Sequence, residues 1–286
     1  MNETQKIPIT VIVPVKNEEK NLARCLELLG DFSEVIVVDS GSTDKTPEIA
    51  KQFGCQPINF EWNGHFPKKR NWILRNVSIN NDWVLFLDAD EVVTEQFKSE
   101  VVQAIKSEKI AGFWISYQNH FLGEKLKYGV KMKKLALFRK DCGEYEFIDE
   151  DAWSHLDMEI HEHPIIKGET GVIKTPLIHL DFKGLSHYIA KHNEYSSWEA
   201  NRYLKLQKTE YKKLTFRQKM KYTLLNSWFF GFLYFCLNYF VYLGFLDGKA
   251  GFIFSVYKMQ YFFNIKAKIA ELTVKDYFKT NYEIII

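Results

Sequence analysis

Short apolar runs recur along the first third of the chain, each closed by a polar turn and followed by apolar residues at helical spacing. Residues 9–13 (ITVIV) form a β-branched run that Pro14 stops, which predicts a buried strand. Lys16-Asn17-Glu18-Glu19 then opens a helix through Leu22, Cys25, Leu26 and Leu29, with Gly30 as its stop. Residues 35–38 (VIVV) predict a second strand that runs into Asp39-Ser40-Gly41-Ser42-Thr43-Asp44. Thr46-Pro47 starts the next helix, with proline at a first-turn position, and Gly54 ends it. A third strand falls at 56–60, and a helix led by Lys68-Lys69-Arg70-Asn71 continues through Ile73, Leu74 and Val77. Residues 83–87 (WVLFL) predict a fourth strand, which stops abruptly at Asp88, Asp90 and Glu91.

Three strand-helix alternations before an acidic turn predict an α/β fold with a mostly parallel central sheet, joined by right-handed crossovers and flanked by helices. Beyond a helix at 94–106 the texture changes. Strands are expected at 112–117, 134–138 and 175–180, around a polar segment, 143–169, rich in Asp, Glu and His. From Leu185 onward the pattern is helical, and 188–206 carries neither Gly nor Pro. The expected division is therefore an α/β domain over 1–184 and a helical region over 185–286.

Composition narrows the functional classes. At 286 residues, 46% hydrophobic and 26% charged, the chain can bury a substantial core. A formal net charge of +2 argues against a nucleic-acid binder. No G-x-G-x-x-G follows the first strand and no G-x-x-x-x-G-K-[ST] occurs, which argues against a dinucleotide dehydrogenase and a P-loop enzyme. Cys25, Cys55, Cys142 and Cys236 form no C-x-x-C pair and read as reduced thiols. The N-terminal residues lack the pattern of a secretory signal, so the expectation is a cytoplasmic protein.

Candidate chemistry starts at the fourth strand. Ligands of open α/β sheets sit outside the carboxyl ends of the strands, so Asp88 and Asp90 stand at the mouth of a site. Two carboxylates one residue apart can reach one hard cation, Mg²⁺ or Mn²⁺, whose other ligands come from phosphates and water. The alternative is a solvated acidic turn capping the helix near Thr94. At the end of the second strand, Asp39 can hydrogen-bond a base or ribose, and Gly41 with its serines permits close backbone approach. An ordinary strand-to-helix turn capped by Thr43 or Asp44 is the alternative there, and it leaves Asp39 unexplained. His155, His161, His163 and His179 crowd together without the cysteine spacing of a structural zinc site, and His161 or His179 could touch the ion or a diphosphate.

PVKNE at 14–18, VVDSGSTD at 37–44 and LDADE at 87–91 resemble, in order and spacing, the three signatures of glycosyltransferase family 2. The resemblance implies a GT-A fold and a nucleotide-sugar site in which Asp39 contacts the base, Pro14 and Glu18 line the pocket, and Asn17 and Ser40 bind the nucleotide sugar from the same loops. It also implies that Asp90 holds the divalent metal with Asp88 beside it. FPKKRN at 66–71, LFR at 137–139, IHE at 160–162 and GFLDGKAGF at 244–252 resemble the bacterial lipopolysaccharide-core β-glucosyltransferases of that family. Many relatives carry glycine where Pro67 stands. Lys69, Arg70 and Arg139 are candidates for positive charge at the diphosphate, and Glu162 is the expected catalytic base, with Asp157 as alternative. The implied reaction is an inverting, metal-dependent transfer of a hexose, with UDP-glucose as first donor. The saccharide acceptor belongs to lipopolysaccharide-core or other cell-envelope synthesis. A polyprenyl-phosphate sugar transferase and an inactive membrane-bound scaffold are the rival readings.

Residues 222–246 carry no charge, follow a basic run and are long enough to cross a bilayer as one helix. Asn226, Ser227 and Asn238 interrupt them, and Trp and Tyr are spread along them, which fits an interfacial helix on the anionic cytoplasmic leaflet. Packing on the catalytic domain or in a homodimer is the second expectation, and crossing the third. A lipid-anchored saccharide acceptor accords with a peripheral place on the inner face of the cytoplasmic membrane.

Overall fold

The structure, a computed structural model, describes residues 6–148, 154, 156–157, 164–180, 183–209, 214 and 216–282. It comprises two compact units, Met1–His120 with Lys131–Phe182, and Phe121–Val130 with Lys183–Ile286. The second unit thus takes a ten-residue excursion from within the span expected for the α/β domain.

In the first unit, β1 (Ile7–Val15), α1 (Leu22–Glu27), β2 (Phe32–Asp39), α2 (Thr46–Gln52), β3 (Ile58–Asn59), α3 (Lys69–Asn76) and β4 (Trp83–Phe86) alternate as the sequence predicts. There follow β5 (Glu91–Val92), α4 (Glu95–Ala104) and β6 (Ile110–Phe121). A short β7 (Glu124–Lys125) belongs to the second unit; β8 (Lys133–Arg139), β9 (Gly143–Tyr145), β10 (Pro164–Ile166) and β11 (Glu169–His179) return to the first. The main sheet runs β3-β2-β1-β4-β8-β6-β11-β5. Pairs β1–β2, β1–β4, β2–β3 and β6–β11 are parallel; of these eight strands β8 and β5 run the other way, and β7 pairs with β6 off this path. The fold is therefore the mostly parallel α/β architecture expected.

Burial on both faces explains why β1 is apolar at every position but Thr10, a fully buried residue whose hydroxyl donates to Glu34 and accepts from the Asn81 amide at 3.0 Å. Ile9, Val11, Val13 and Val15 enter one core with Leu22, Phe97 and Leu137. Ile12 points the other way, into a second core with Val84, Phe86 and Phe138. A strand buried on both faces admits a polar side chain along its length only where a partner satisfies it, and charged groups collect at its ends. That places the chemistry at the ends of β1, β2 and β4.

Helix α4 is capped by the Thr94 hydroxyl, which accepts from the Phe97 N–H at 3.2 Å. Its Glu100 reaches β11, where the carboxylate accepts from the N–H groups of Lys174 (2.7 Å) and Thr175 (2.8 Å) beside an irregularity in the β6–β11 register. Burial pushes the Glu100 pKa up, but the hydrogen bonds from Thr175 and Lys174 outweigh it and hold the carboxyl below its ordinary value. A depressed folded-state pKa contributes stability above the unfolded value, lost as pH falls through the folded one. Glu100→Ala is expected to cost about 1 kcal/mol near neutrality, small because the carboxylate is only half-buried. Urea melts of both proteins from pH 7 downward check this: the gap should close in acid, and a gap constant with pH contradicts it.

The second unit is helical: α5 (Leu185–Thr209), α6 (Phe216–Leu225), α7 (Phe230–Cys236) and α8 (Gly248–Tyr282). Ala200, Tyr203 and Leu206 of α5 share a core with Ile265 and Ile269 of α8. The charge-free stretch is not one helix. Asn226 and Ser227 end α6, and the Ser227 hydroxyl accepts from the Phe229 N–H at 3.2 Å, opening a new helix. Helix α7 continues as a π turn, Leu237–Val241, and a 3₁₀ turn, Gly244–Asp247, follows Leu243 at φ 59°. Asn238 is buried within this bend, where its Oδ1 accepts from the Val130 N–H (2.7 Å) and its amide donates to Ser255 (2.8 Å). The Asp247 carboxylate accepts from the N–H groups of Lys127 and Tyr128. Among the described residues no single helix is long and apolar enough to cross a membrane; Gln218–Leu225 and Phe230–Val241 pass that test together, bent by 116°. The expectation of one helix of crossing length is corrected: the chain breaks after α6 at Asn226 and Ser227, and the buried Asn238 side chain takes the Val130 N–H of a neighbouring loop at the second bend.

Candidate active site

Sheet register brings the first two motifs face to face. Pro14 pairs with Val38 and Val15 with Asp39, so the loops after β1 and β2 leave the sheet side by side. Asn17, at φ 55°, donates its N–H to the Ser42 hydroxyl (2.8 Å), while its Oδ1 accepts from the Thr43 N–H (2.8 Å). Asparagine is among the few residues with a side chain that tolerate this left-handed backbone. The Glu18 N–H donates to the Thr46 hydroxyl at 2.8 Å, and the Glu19 N–H to Asp44 at 3.2 Å. Asp39, 7% exposed, accepts from both the N–H and hydroxyl of Ser42, and Gly41 turns between them at φ 71°. In this structure Asp39 shapes the turn that the sequence assigned to nucleotide contact. The Ser40 N–H donates to the Val15 carbonyl at 3.1 Å, while its hydroxyl is buried.

The acidic turn lies beyond β4, on the other side of β1. Two strand spacings, about 10 Å, separate it from the Asp39 turn. The alternative of a solvated acidic cap fails on burial, since Glu91 is 1% exposed and Thr94 caps the helix. The Asp88 N–H donates to the Glu91 carboxylate (3.1 Å), and the Glu91 N–H to the Asp88 carbonyl (2.9 Å). Lys134 donates to both Glu91 oxygens at 2.6 Å and lies 3.6 Å from Asp88. Burial, first of all, pushes the Glu91 carboxyl above its ordinary value even against that lysine.

Strand β5 pairs with the end of β11, Glu91 opposite His179, and the Leu180 N–H donates to the Asp90 carbonyl at 2.9 Å. This ladder sets His179 Nε2 at 3.2 Å from Asp90 Oδ2. Two ligands on adjacent vertices of an octahedral Mg²⁺ stand about 3 Å apart, so this pair fits a shared ion. No group of three or more His, Cys, Asp or Glu gathers for a metal among the described residues. Phosphate and water would complete such a site, as the chemistry of hard ions requires. Asp88 is turned to cations instead, with Arg70 at 3.2 Å and Lys134 beyond.

Helix α3 delivers its basic side chains unequally. Asn71, fully buried, exchanges hydrogen bonds with the Tyr145 backbone at 2.9 and 2.8 Å, which fixes the helix start. Arg70 then reaches Asp88 and lies 5.4 Å from the Tyr145 ring centre. Lys69 is 2% exposed and pairs with Asp157 at 3.4 Å, while its N–H donates to the Asp157 carbonyl at 3.0 Å. Burial raises the Asp157 pKa, but the Lys69 charge outweighs it and holds the carboxyl below its ordinary value. Burial also pulls Lys69 below the usual lysine value. Asp157 is accordingly an ion-pair partner, which fits poorly with the alternative base, and Lys69 is spent on it.

Arg139 does not join the site. It pairs with Trp83 across the sheet, donates to the carbonyls of Ser107 (3.1 Å) and Ile110 (3.4 Å), and stacks on the Trp83 ring at 4.7 Å. Asp88 lies at the other end of β4, five strand residues or about 16 Å away. The expectation that Arg139 faces the diphosphate is corrected, because β8 runs antiparallel and carries its end away from the site. The same reversal puts Lys134, at the start of β8, where the sequence offered no sign of it. Glu162 and His161 lie outside the described residues.

A parallel sheet that carries a laced turn at one strand end and a D-x-D with histidine, arginine and lysine at the next is the framework of a GT-A glycosyltransferase. The family model described as "Glycosyl transferase family 2" matches residues 10–156, which contain all three motifs. The chain belongs to glycosyltransferase family 2. It is 27% identical over 209 residues to the lipopolysaccharide core biosynthesis glycosyltransferase LpsC of Rhizobium meliloti, covering 68% of this chain and 72% of that protein. It is also 27% identical over 275 residues to an uncharacterized glycosyltransferase of Rickettsia typhi, covering 94% and 88%. Among solved structures, glucosyl-3-phosphoglycerate synthase of Mycobacterium tuberculosis, in complex with Mn²⁺, UDP and glucosyl-3-phosphoglycerate, aligns at 26% identity and a TM-score of 0.31. That match covers 39% of this chain and 44% of the synthase.

Proposed function

We propose that this enzyme transfers a hexose, glucose from UDP-glucose as first donor, with inversion onto a saccharide hydroxyl of a lipid-anchored cell-envelope acceptor. The observation that carries the reading is the Asp90–His179 pair, set at 3.2 Å by the β5–β11 ladder beside the Arg70–Asp88 contact. The similarity to LpsC, named for lipopolysaccharide core synthesis, supports the acceptor class.

Asp90 and His179 would hold the divalent ion, Mg²⁺ or Mn²⁺, which supplies positive charge to the departing diphosphate. Arg70 adds a fixed guanidinium beside it. The loops of Asn17 and Asp39 bind the nucleoside end, with Pro14, Glu18 and Ser40 around them. The acceptor hydroxyl attacks the anomeric carbon opposite the diphosphate. Its proton passes to a carboxylate, assigned here to Glu162, as the sugar–diphosphate bond breaks and UDP leaves.

Radiolabelled UDP-glucose, offered with a truncated lipid-anchored saccharide or with polyprenyl phosphate, tests the reading. Label in the saccharide is expected. Label only in the lipid phosphate would transfer the assignment to the polyprenyl-phosphate class. No label in either, with folded protein and a panel of other nucleotide sugars, would favour the scaffold.

A further inference from the structure

The breakage of the apolar stretch into short helices leaves an unusual surface on the second unit. Phe229 is 73% exposed, Val241 67%, Phe232 and Phe240 57%, Leu233 53% and Leu246 52%. Soluble monomers rarely leave so many large apolar side chains together in water. The chain here is also almost without negative charge: between Gln218 and Lys266 the one acidic residue is Asp247. Its carboxylate is taken up by the backbone of Lys127 and Tyr128. In sequence Lys219 precedes the apolar stretch and Lys249 and Lys266 follow it, and Lys266 lies 5.4 Å from the Trp228 ring centre while donating to Asn226. Apolar side chains rimmed by lysine complement an anionic lipid surface.

The geometry decides how such a surface meets a bilayer. The seven residues of α7 and the five of its π extension rise only ~18 Å, against a hydrocarbon core of ~30 Å. The chain enters them from α6 through a 116° bend and leaves through the 3₁₀ turn into α8. Between α7 and α8 runs a mostly apolar groove of about 330 Å³, lined by Trp228, Phe232, Val256, Met259 and Phe263, with Gln260 its one polar side chain. Gly231 forms its floor, where an added Cβ would meet the Met259 carbonyl oxygen at 2.6 Å.

We infer that the bent helix pair enters one leaflet of an anionic bilayer without crossing it, and that a lipid tail lies in the groove between α7 and α8. This deepens, and rests on, the proposed lipid-anchored acceptor. The occupant is an anionic phospholipid membrane, and the same face closed against a second copy of the chain is the competing outcome.

Flotation of the full-length chain with phosphatidylcholine vesicles, with and without phosphatidylglycerol, tests the inference. The wild type is expected to float with the anionic vesicles, and Phe232→Glu/Phe240→Glu to float at least about tenfold less. Both positions are exposed, and a preserved thermal shift with UDP shows that the variant retains its fold and its donor site. Tail-brominated lipid should quench the tryptophan emission of the wild type, and quench Trp228→Phe less. Flotation of the double variant equal to wild type overturns the inference, and so does flotation without quenching. A wild type that ignores vesicles but forms a dimer broken by the double variant also overturns it. Flotation with quenching but no transfer to lipid-anchored saccharide would count against the acceptor and uphold the anchor.

Discussion

Asp90→Ala is expected to lower sugar transfer about 10³-fold or more while leaving the fold intact. Asp90 is positioned by backbone: its carbonyl accepts from the Leu180 N–H, and the β5–β11 ladder holds the turn from both sides. The carboxylate can therefore be removed without unlacing the sheet. What is lost is half of the pair that would hold the ion on the leaving diphosphate, worth several kcal/mol of charge stabilisation, or ~10³ in rate at ~4 kcal/mol. Single-turnover transfer with saturating donor measures it, and circular dichroism verifies the fold. A loss below about tenfold would remove Asp90 from the chemistry.

Asp157→Asn is expected to act mainly on stability. Its carboxylate is the partner of a lysine that is 2% exposed, so the substitution leaves a buried cation without its countercharge. Breaking a buried pair costs ~3–5 kcal/mol, and about 2–3 kcal/mol fits here because Asp157 retains a quarter of its exposure. The sign with pH follows from the depressed carboxyl pKa. The contribution is present above the ordinary carboxylate value and lost as pH falls through the folded one. Wild type should thus converge on the variant in acid. Denaturant melts across pH check this, and a large loss of kcat with unchanged stability would restore Asp157 as a base.

These two carboxylates show where the sequence was informative. Runs such as ITVIV and WVLFL betray strands buried on both faces, because no charged side chain is accommodated along them and the one polar residue of the first, Thr10, is hydrogen-bonded to Glu34 and Asn81. Their abrupt polar ends mark the site edge for the same reason. The lacing of Asn17 to Ser42 and Thr43 was implicit in the two loop motifs, since both follow adjacent parallel strands. Strand direction was not legible. Residues 134–138 read as a strand either way round, and only the antiparallel pairing exchanges Lys134 for Arg139 at the site. Nor was the partner of Lys69, since a basic helix start looks the same whether it faces a diphosphate or a buried aspartate. In the second unit, the sequence marked Asn226, Ser227 and Asn238 as interruptions of the apolar stretch, but not the angle of its bends, which depends on the partners Ser227 and Asn238 find in the Phe229 and Val130 N–H groups.

In the proposed mechanism Asp90 and His179 seat the ion that binds with the nucleotide. Calorimetric titration of UDP, with and without Mn²⁺, on wild type and Asp90→Ala tests that claim most directly and needs no acceptor. The ion should tighten UDP binding to the wild type at least about tenfold and leave the variant's affinity unchanged. Equal enhancement in both proteins would contradict it.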